Sequence, residues 1–147
     1  MAHRPAHPDF EAVVRQSFAR QTFMTTLGAT LEEVGPGRIA IAAPFRAEHA
    51  QQNGFLHAGV LTSIADSACG YAALTLAPAG HDVLAVEFKI NLLRPAVAAR
   101  FVARAEVLRA GRTLTVARAD VFGAGDSGEE LVASMMSTVI ARPIRVV

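Results

Sequence analysis

The stretch HAGVLTSIADSACGYAALTLA, residues 57–77, is apolar or small almost throughout and carries one formal charge, that of Asp66. It is long enough to raise the question of a membrane span, which needs about 20 residues. A carboxylate in its middle, with several hydroxyl side chains and two glycines, instead favours a globular-protein helix buried on nearly all sides. We expect this helix to begin near His57 and to end before Pro78.

Strand-like runs follow this helix. In the first run, apolar residues alternate with polar ones over residues 86–92: Val86, Phe88, Ile90 and Leu92 against Glu87, Lys89 and Asn91. Three further runs occupy residues 101–107, 113–122 and 131–140. They are joined by the turn Ala110-Gly111-Arg112 and by a Gly/Ser/Asp-rich loop at 123–128. Connections this short predict that successive strands are antiparallel neighbours.

Two elements are predicted before the long helix. An amphipathic helix begins after Asp9, its expected N-cap, and a short strand covers Arg38–Ala42 and ends before Pro44. The sheet must curl around the apolar helix to shield it from water. The predicted fold class is therefore α+β, with a curved antiparallel sheet wrapped around a long central helix.

The composition limits the possible functions. At 147 residues the chain fits one domain, 1–147, with residues 1–22 as an N-terminal helical extension. Lys and Arg number 14 against 13 Asp and Glu, with one Tyr and no Trp, which argues against nucleic-acid binding. The single Cys69 and the lack of a secretion signal in the sequence favour a cytoplasmic protein without a membrane partner. The 52% hydrophobic content favours an oligomer.

Asp66 and the start of the long helix are the candidate chemical groups. A buried carboxylate needs hydrogen-bond partners such as Ser63 or Ser67, or a raised pKa, or a ligand. His57-Ala58-Gly59 lies where free N–H groups can hold a developing oxyanion, although His57 as a simple cap is the alternative. Ala58 and Asp66 are eight positions apart, which is about 12 Å along a helix. Two antiparallel copies of the helix across a two-fold axis would bring the groups together.

The motif from Gln51 to Gly59, QQNGFLHAG, continued by Ala65-Asp66, resembles the PaaI-type branch of the hot-dog thioesterases. Residues 86–95, Ala110–Thr113 and Ala133–Met136 are similar to further blocks of that family, in the same order. The resemblance extends from about residue 23 to the end of the chain. It implies a hot-dog fold and hydrolysis of an acyl-CoA to a free acid and CoA.

The resemblance also implies roles for individual residues. Asp66 would be the general base or the nucleophile, and the Ala58 N–H from the other subunit would be the oxyanion donor. His57 would shape the loop and contact the thioester, beside Gly59. Gln51 stands where the family usually has Asn, and its amide would orient water or the thioester.

Coenzyme A is expected as part of the substrate, and no separate cofactor or metal is expected. Arg94, Arg109 and Arg112 lie near strand ends, where they would meet CoA phosphates or simply be solvated. Ala85 stands where some relatives have a water-binding Ser. The five histidines lack metal-site spacing, and Cys69 on an apolar helix is a core residue.

Two alternative functions stay open beside the acyl-CoA thioesterase. One is a non-catalytic acyl-CoA-binding or regulatory module, which has no need for a buried carboxylate. The other is a dehydratase or hydratase, which needs a second acid or base that the central helix lacks. The acyl group is not predicted, nor is the choice between a homodimer and a homotetramer.

Overall fold

The computed structural model describes residues 2–144. Within them, a pair of N-terminal helices precedes two strands, a central helix and four further strands, with one turn of 3-10 helix at Ala47–His49. The elements are α1 (Phe10–Arg20), α2 (Thr22–Leu27), β1 (Thr30–Gly35), β2 (Arg38–Pro44), α3 (Ala58–Leu74), β3 (His81–Leu92), β4 (Arg100–Ala110), β5 (Leu114–Gly125) and β6 (Gly128–Pro143).

The six strands form one antiparallel sheet in the order β1-β2-β4-β5-β6-β3. The expectation that consecutive strands pair is wrong for β3 and β4, since β3 pairs with β6 and β4 lies between β2 and β5. The reason is the connection at 93–99, which crosses the end of the sheet. At its start, the N–H groups of residues 93 and 94 donate to the Val132 carbonyl. Further along, the carbonyls of residues 96 and 99 accept hydrogen bonds from the N–H groups of Leu56 and Phe45.

Helix α3 lies against the sheet and packs on β2, β3, β4, β5 and β6. Ile64, Ala65, Ala68 and Ala72 are fully buried, and the small size of the three alanines lets the strands approach the helix closely. The predicted central buried helix is thus confirmed, and Cys69 is a core residue. Within residues 2–144, no helix combines the length and the apolar character needed to cross a membrane.

The N-terminal region differs from the prediction. α2 and β1 were not expected, and Val14 and Met24 are buried in the same core as α3. Asp9 precedes α1 as predicted, but its side chain makes no capping hydrogen bond; its carbonyl accepts from the Val13 N–H at 3.1 Å. Helix α2 ends at Leu27 and is capped by Gly28, whose φ of +67° is in the left-handed region that glycine tolerates.

The strands after α3 are longer than predicted. The predicted loop at 123–128 is wrong in extent, because β5 continues to Gly125 and β6 begins at Gly128. Only Asp126 and Ser127 remain as the turn, and Gly128 after them has a φ of +111°, which glycine tolerates.

Strand β3 forms one edge of the sheet and exposes large apolar side chains. Leu84, Val86, Phe88 and Leu92 are each more than 40% exposed. A long apolar edge strand with unpaired backbone groups is a surface that proteins usually cover. This edge therefore presents a row of exposed apolar side chains to its surroundings.

Candidate active site

The N-terminus of α3 is built around His57. This residue is the N-cap, with φ −62° and ψ 137°, and its Nδ1 accepts a hydrogen bond from the Gly59 N–H at 2.8 Å. The Val60 N–H donates to the His57 carbonyl at 3.0 Å. The Ala58 N–H, the first of the helix, makes no hydrogen bond to the described residues 2–144. One backbone donor at the positive end of α3 is therefore left for a ligand.

Gly59 is required by the same cap. A Cβ at this position would lie 2.9 Å from the Nδ1 of His57, closer than a normal contact. A side chain there would displace the imidazole and break the cap. The glycine of the His57-Ala58-Gly59 motif thus keeps the helix start in shape.

A cavity of about 390 Å³ lies at this end of α3. Gln51, Ala58 and Arg94 line it, together with apolar residues: Phe55, Leu56, Leu61, Leu92, Leu93, Pro95 and Ala96. The side-chain oxygen of Gln51 accepts a hydrogen bond from the Asn53 N–H, which fixes the amide in its turn. The cavity combines an apolar wall, one free backbone donor and one cation at its edge.

Asp66 is half-buried on α3, and its Oδ1 is shielded from solvent without a hydrogen-bond partner among the described residues. Ser63 donates to the Gly59 carbonyl, and Ser67 accepts from Gln21, so neither serine stabilises the carboxylate. The alternative interpretation, in which Asp66 is a structural residue held by a hydrogen bond to Ser63 or Ser67, is therefore not what the structure shows. Burial raises the pKa of Asp66 above its ordinary value of 3.8.

Asp66 lines a second cavity, of about 370 Å³. Its other lining residues come from α1, the α1–α2 junction, α3 and β3: Ser17, Arg20, Gln21, Ser67, Gly70, Tyr71, Asp82, Val83 and Ala85. The sequence reasoning missed Ser17 and Gln21. Their signal was spacing: Ser17 follows Val14 by three residues on α1, and Gln21 follows Phe18 by three residues, directly after the end of α1.

The predicted site residues are therefore divided between two places in one chain. Gln51, Ala58 and Arg94 share the first cavity, with His57 and Gly59 on an adjoining surface. Asp66 lines only the second cavity, about 12 Å from Ala58 along the helix. One chain alone does not bring the carboxylate and the amide to one reacting atom.

The basic residues fall into two groups. Arg94 pairs with Glu130 at 3.0 Å and donates to the Leu131 carbonyl at 2.8 Å, at the edge of the Ala58 cavity. Arg109 and Arg112 are exposed and line neither cavity.

Cys69 is unsuited to nucleophilic chemistry. Burial, with the nearby charge of Asp66, raises the pKa of its thiol to about 12. The thiolate that nucleophilic attack needs is therefore scarce at neutral pH.

Comparisons with known proteins agree with this architecture. Residues 53–129 match the thioesterase superfamily. A thioesterase family protein from Silicibacter pomeroyi is 47% identical over 92% of this chain and 99% of its own, with a TM-score of 0.90. A mutant of the phenylacetic acid degradation protein PaaI from Thermus thermophilus is 31% identical, over 82% of this chain and 98% of its own, with a TM-score of 0.73.

A further relative, from Saccharolobus solfataricus, is described as a candidate esterase. It is 38% identical over 80 residues, which are 54% of this chain and 56% of that protein. The chain thus spans just over half the length of that relative. Together the likenesses support hydrolysis of a thioester or ester as the general chemistry.

The six-stranded antiparallel sheet around α3 matches the hot-dog arrangement of these thioesterases. The PaaI-type resemblance of the sequence is confirmed as well. The chain belongs to the thioesterase superfamily.

Proposed function

We propose that this protein hydrolyses an acyl-CoA thioester to a free acid and CoA, with Asp66 as its catalytic carboxylate. The observation that carries the proposal is the Oδ1 of Asp66, which is buried and unpartnered at the wall of a cavity. A desolvated carboxylate without partners is a stronger base than a solvated one. Burying such a group also destabilises the fold, so its presence favours a role in the chemistry.

The reaction proceeds at the thioester carbonyl carbon. Asp66 either removes a proton from the attacking water or attacks the carbon itself, and both roles stay open. The Ala58 N–H, at the positive end of α3, donates to the oxygen as negative charge develops there. The carbon–sulfur bond then breaks and the CoA thiolate takes up a proton. With Asp66 as base, the attacking water has already supplied the oxygen of the acid, which is released; with Asp66 as nucleophile, a water must next hydrolyse the mixed anhydride to release the acid and restore the carboxylate.

The active site is proposed to lie between two subunits. The 12 Å that separates Ala58 from Asp66 along one helix exceeds the reach of about 3–3.5 Å that attack requires. Antiparallel pairing of two β3 edges around a two-fold axis would cover Val86, Phe88 and the other exposed residues of that strand. It would also set the two α3 helices side by side, so that Asp66 of one subunit faces Ala58 of the other. A homodimer is the smallest assembly with this property, and a dimer of dimers preserves it.

Arg94 is proposed to contact the CoA moiety. Its guanidinium lies at the edge of the Ala58 cavity, where a thioester held by the Ala58 N–H would leave its CoA portion. Phosphate would compete with Glu130 for this cation. A contact with a more distant CoA phosphate is proposed for Arg109, on β4, and for Arg112, in the β4–β5 turn.

The test is thiol release from phenylacetyl-, benzoyl-, hexanoyl- and palmitoyl-CoA by the wild type, by Asp66→Asn and by Asp126→Asn. Asp126 lies in the exposed β5–β6 turn and provides the same chemical change away from the site. We expect a loss of about a hundredfold or more in Asp66→Asn and none in Asp126→Asn. Binding of acyl-CoA without turnover by the wild type would refute the enzyme and identify a binding module.

A further inference from the structure

The chain that precedes α1 is fastened to the sheet by His3. The His3 Nε2 donates to the Val107 carbonyl on β4 at 2.8 Å. The imidazole lies directly on Gly37, in the β1–β2 turn, since a Cβ on that glycine would be 2.6 Å from the His3 Cδ2. The Gly37 carbonyl in turn accepts from the Val107 N–H at 2.8 Å, so the two residues that hold His3 are themselves joined. The contact of His3 with Val107 and Gly37 is called the His3 latch below.

The His3 latch is connected to the C-terminal end of α3. The Gly37 N–H donates to the Thr75 Oγ1 at 2.7 Å, and the Thr75 hydroxyl donates to the Ala72 carbonyl at 2.7 Å. Thr75 is buried and caps α3 four residues after Tyr71, which lines the Asp66 cavity. The latch is thus fixed to the helix that carries the cavity.

From the latch, the chain returns along α3 toward the cavity. Ser17 and Phe18 on α1 contact Tyr71: the Ser17 Oγ is 3.4 Å from the phenol oxygen, and the aromatic ring centroids are 5.9 Å apart. Gln21, directly after α1, donates to the Ser67 Oγ at 3.3 Å. Contacts from successive parts of the N-terminal segment therefore follow α3 from its end back to position 67, and α1 forms one wall of the Asp66 cavity.

Helix α1 is held weakly between its two ends. Val14 is its one fully buried side chain, and its 3.4 Å hydrogen bond from Ser17 to Tyr71 is longer than the roughly 2.5–3.0 Å usual between oxygens. Gln21, with φ −80° and ψ 90°, interrupts the helical backbone between α1 and α2. An element with few buried contacts opens locally at low free-energy cost. The latch at the other end of the segment opposes such an opening.

We propose that His3 is a positioning residue that keeps α1 closed over the Asp66 cavity while the cavity holds the acyl group of the substrate. The presence of the acyl group there rests on the proposed function, whereas the closure by α1 does not. Loss of a hydrogen bond of this kind changes an equilibrium about fivefold. Removal of the latch should therefore raise the population in which α1 is open by about that factor, and an open α1 no longer shields an apolar acyl group from water.

The first test is the labelling rate of Ser17→Cys with a maleimide under non-denaturing conditions, because Ser17 lines the cavity that α1 covers. The native Cys69 is buried and should not react. In this background His3→Ala should react about fivefold faster, and His3→Gln, which retains a side-chain donor, should react at the parent rate. Arg15→Ala is the matched control, because its 2.8 Å ion pair with Glu11 lies within α1. It should leave the labelling rate unchanged.

The second test is steady-state kinetics without the cysteine reporter. His3→Ala should raise KM for hexanoyl-CoA about fivefold and change kcat by less than about twofold. Its KM for acetyl-CoA should stay the same, because only one carbon follows the carbonyl of that acyl group.

The outcomes separate the two proposals. Equal labelling rates in His3→Ala and its parent, or an equal acceleration in Arg15→Ala, would overturn the latch and leave the thioesterase intact. Faster labelling of His3→Ala with an unchanged KM for hexanoyl-CoA would overturn its role in holding the acyl group. Faster labelling together with no turnover of any acyl-CoA by the wild type would support the closure by α1 and overturn the proposed function.

Discussion

Replacing Asp66 by Asn should make the protein more stable while it removes activity. The carboxylate is half-buried, and its Oδ1 has no partner among residues 2–144. An unsatisfied buried polar group costs about 1–3 kcal/mol, and partial exposure places Asp66 at the lower end of that range. An amide of the same shape is neutral and avoids the free-energy cost of desolvating a charge. We expect a gain of about 1 kcal/mol in the free energy of unfolding near neutral pH, or about 3 °C in Tm.

The gain should depend on pH with a defined sign. Burial raises the pKa of Asp66 in the folded protein above 3.8, the ordinary value that the unfolded chain keeps. Between these two pKa values the folded state binds more protons, so wild-type stability falls as the pH rises through this window. Above the folded pKa the penalty is complete. The advantage of Asp66→Asn should therefore be largest near neutral pH and should shrink as the pH falls toward 3.8.

The assay is thermal unfolding of the wild type, Asp66→Asn and Asp126→Asn at several pH values. Protein concentration is held constant, because the Tm of an oligomer depends on it. Asp126 is exposed, so its variant should follow the wild type at every pH. A lower Tm for Asp66→Asn near neutral pH, or a difference independent of pH, would refute the reasoning. Either result would mean that the carboxylate has a stabilising partner in the assembled protein.

Three further changes test other parts of the structure. Thr75→Val should lower Tm by several degrees, because the buried Thr75 hydroxyl accepts from the Gly37 N–H at 2.7 Å, whereas Thr75→Ser should retain most of the stability. Gly59→Ala should lower kcat about tenfold, because the added Cβ displaces His57. Its Tm should change little, because the higher helix propensity of alanine offsets the lost cap. An unchanged kcat would contradict the role of the cap. Arg94→Ala should raise KM for acyl-CoA about fivefold at unchanged kcat in steady-state kinetics, and an unchanged KM would remove Arg94 from the CoA site.

The central helix and the later strands could be predicted because their signals are local. One charge in a long apolar stretch indicates α3, and strict alternation at 86–92 indicates β3. Strand β1 was missed because TLEEVG has its apolar residues, Leu31 and Val34, three positions apart, and because a register shift between Leu31 and Glu33 disturbs its pairing. The order of strands was missed as well, since the place of β3 beside β6 depends on contacts distant in sequence.

The candidate site could be predicted only in part for the same reason. Asp66 and the start of α3 are conspicuous because each departs from its local surroundings. Ser17 lies in α1, which has the pattern of an ordinary amphipathic helix, and Gln21 lies at the α1–α2 junction. Only the packing of this region on α3 brings both residues to Tyr71. The separation of Ala58 from Asp66 follows from helix geometry alone, so the sequence was enough to predict a shared site.

Activity of a hybrid dimer tests the shared site most directly. Ala58→Pro removes the proposed oxyanion donor at the first helical position, where proline is well tolerated, and His57 already has the extended backbone that precedes proline. Asp66→Asn removes the carboxylate. Each variant alone should be inactive. A purified hybrid of one Ala58→Pro subunit and one Asp66→Asn subunit should retain one intact site, with about half of the wild-type activity per dimer. A hybrid as inactive as its parents would show that each site lies within one subunit and would contradict the account.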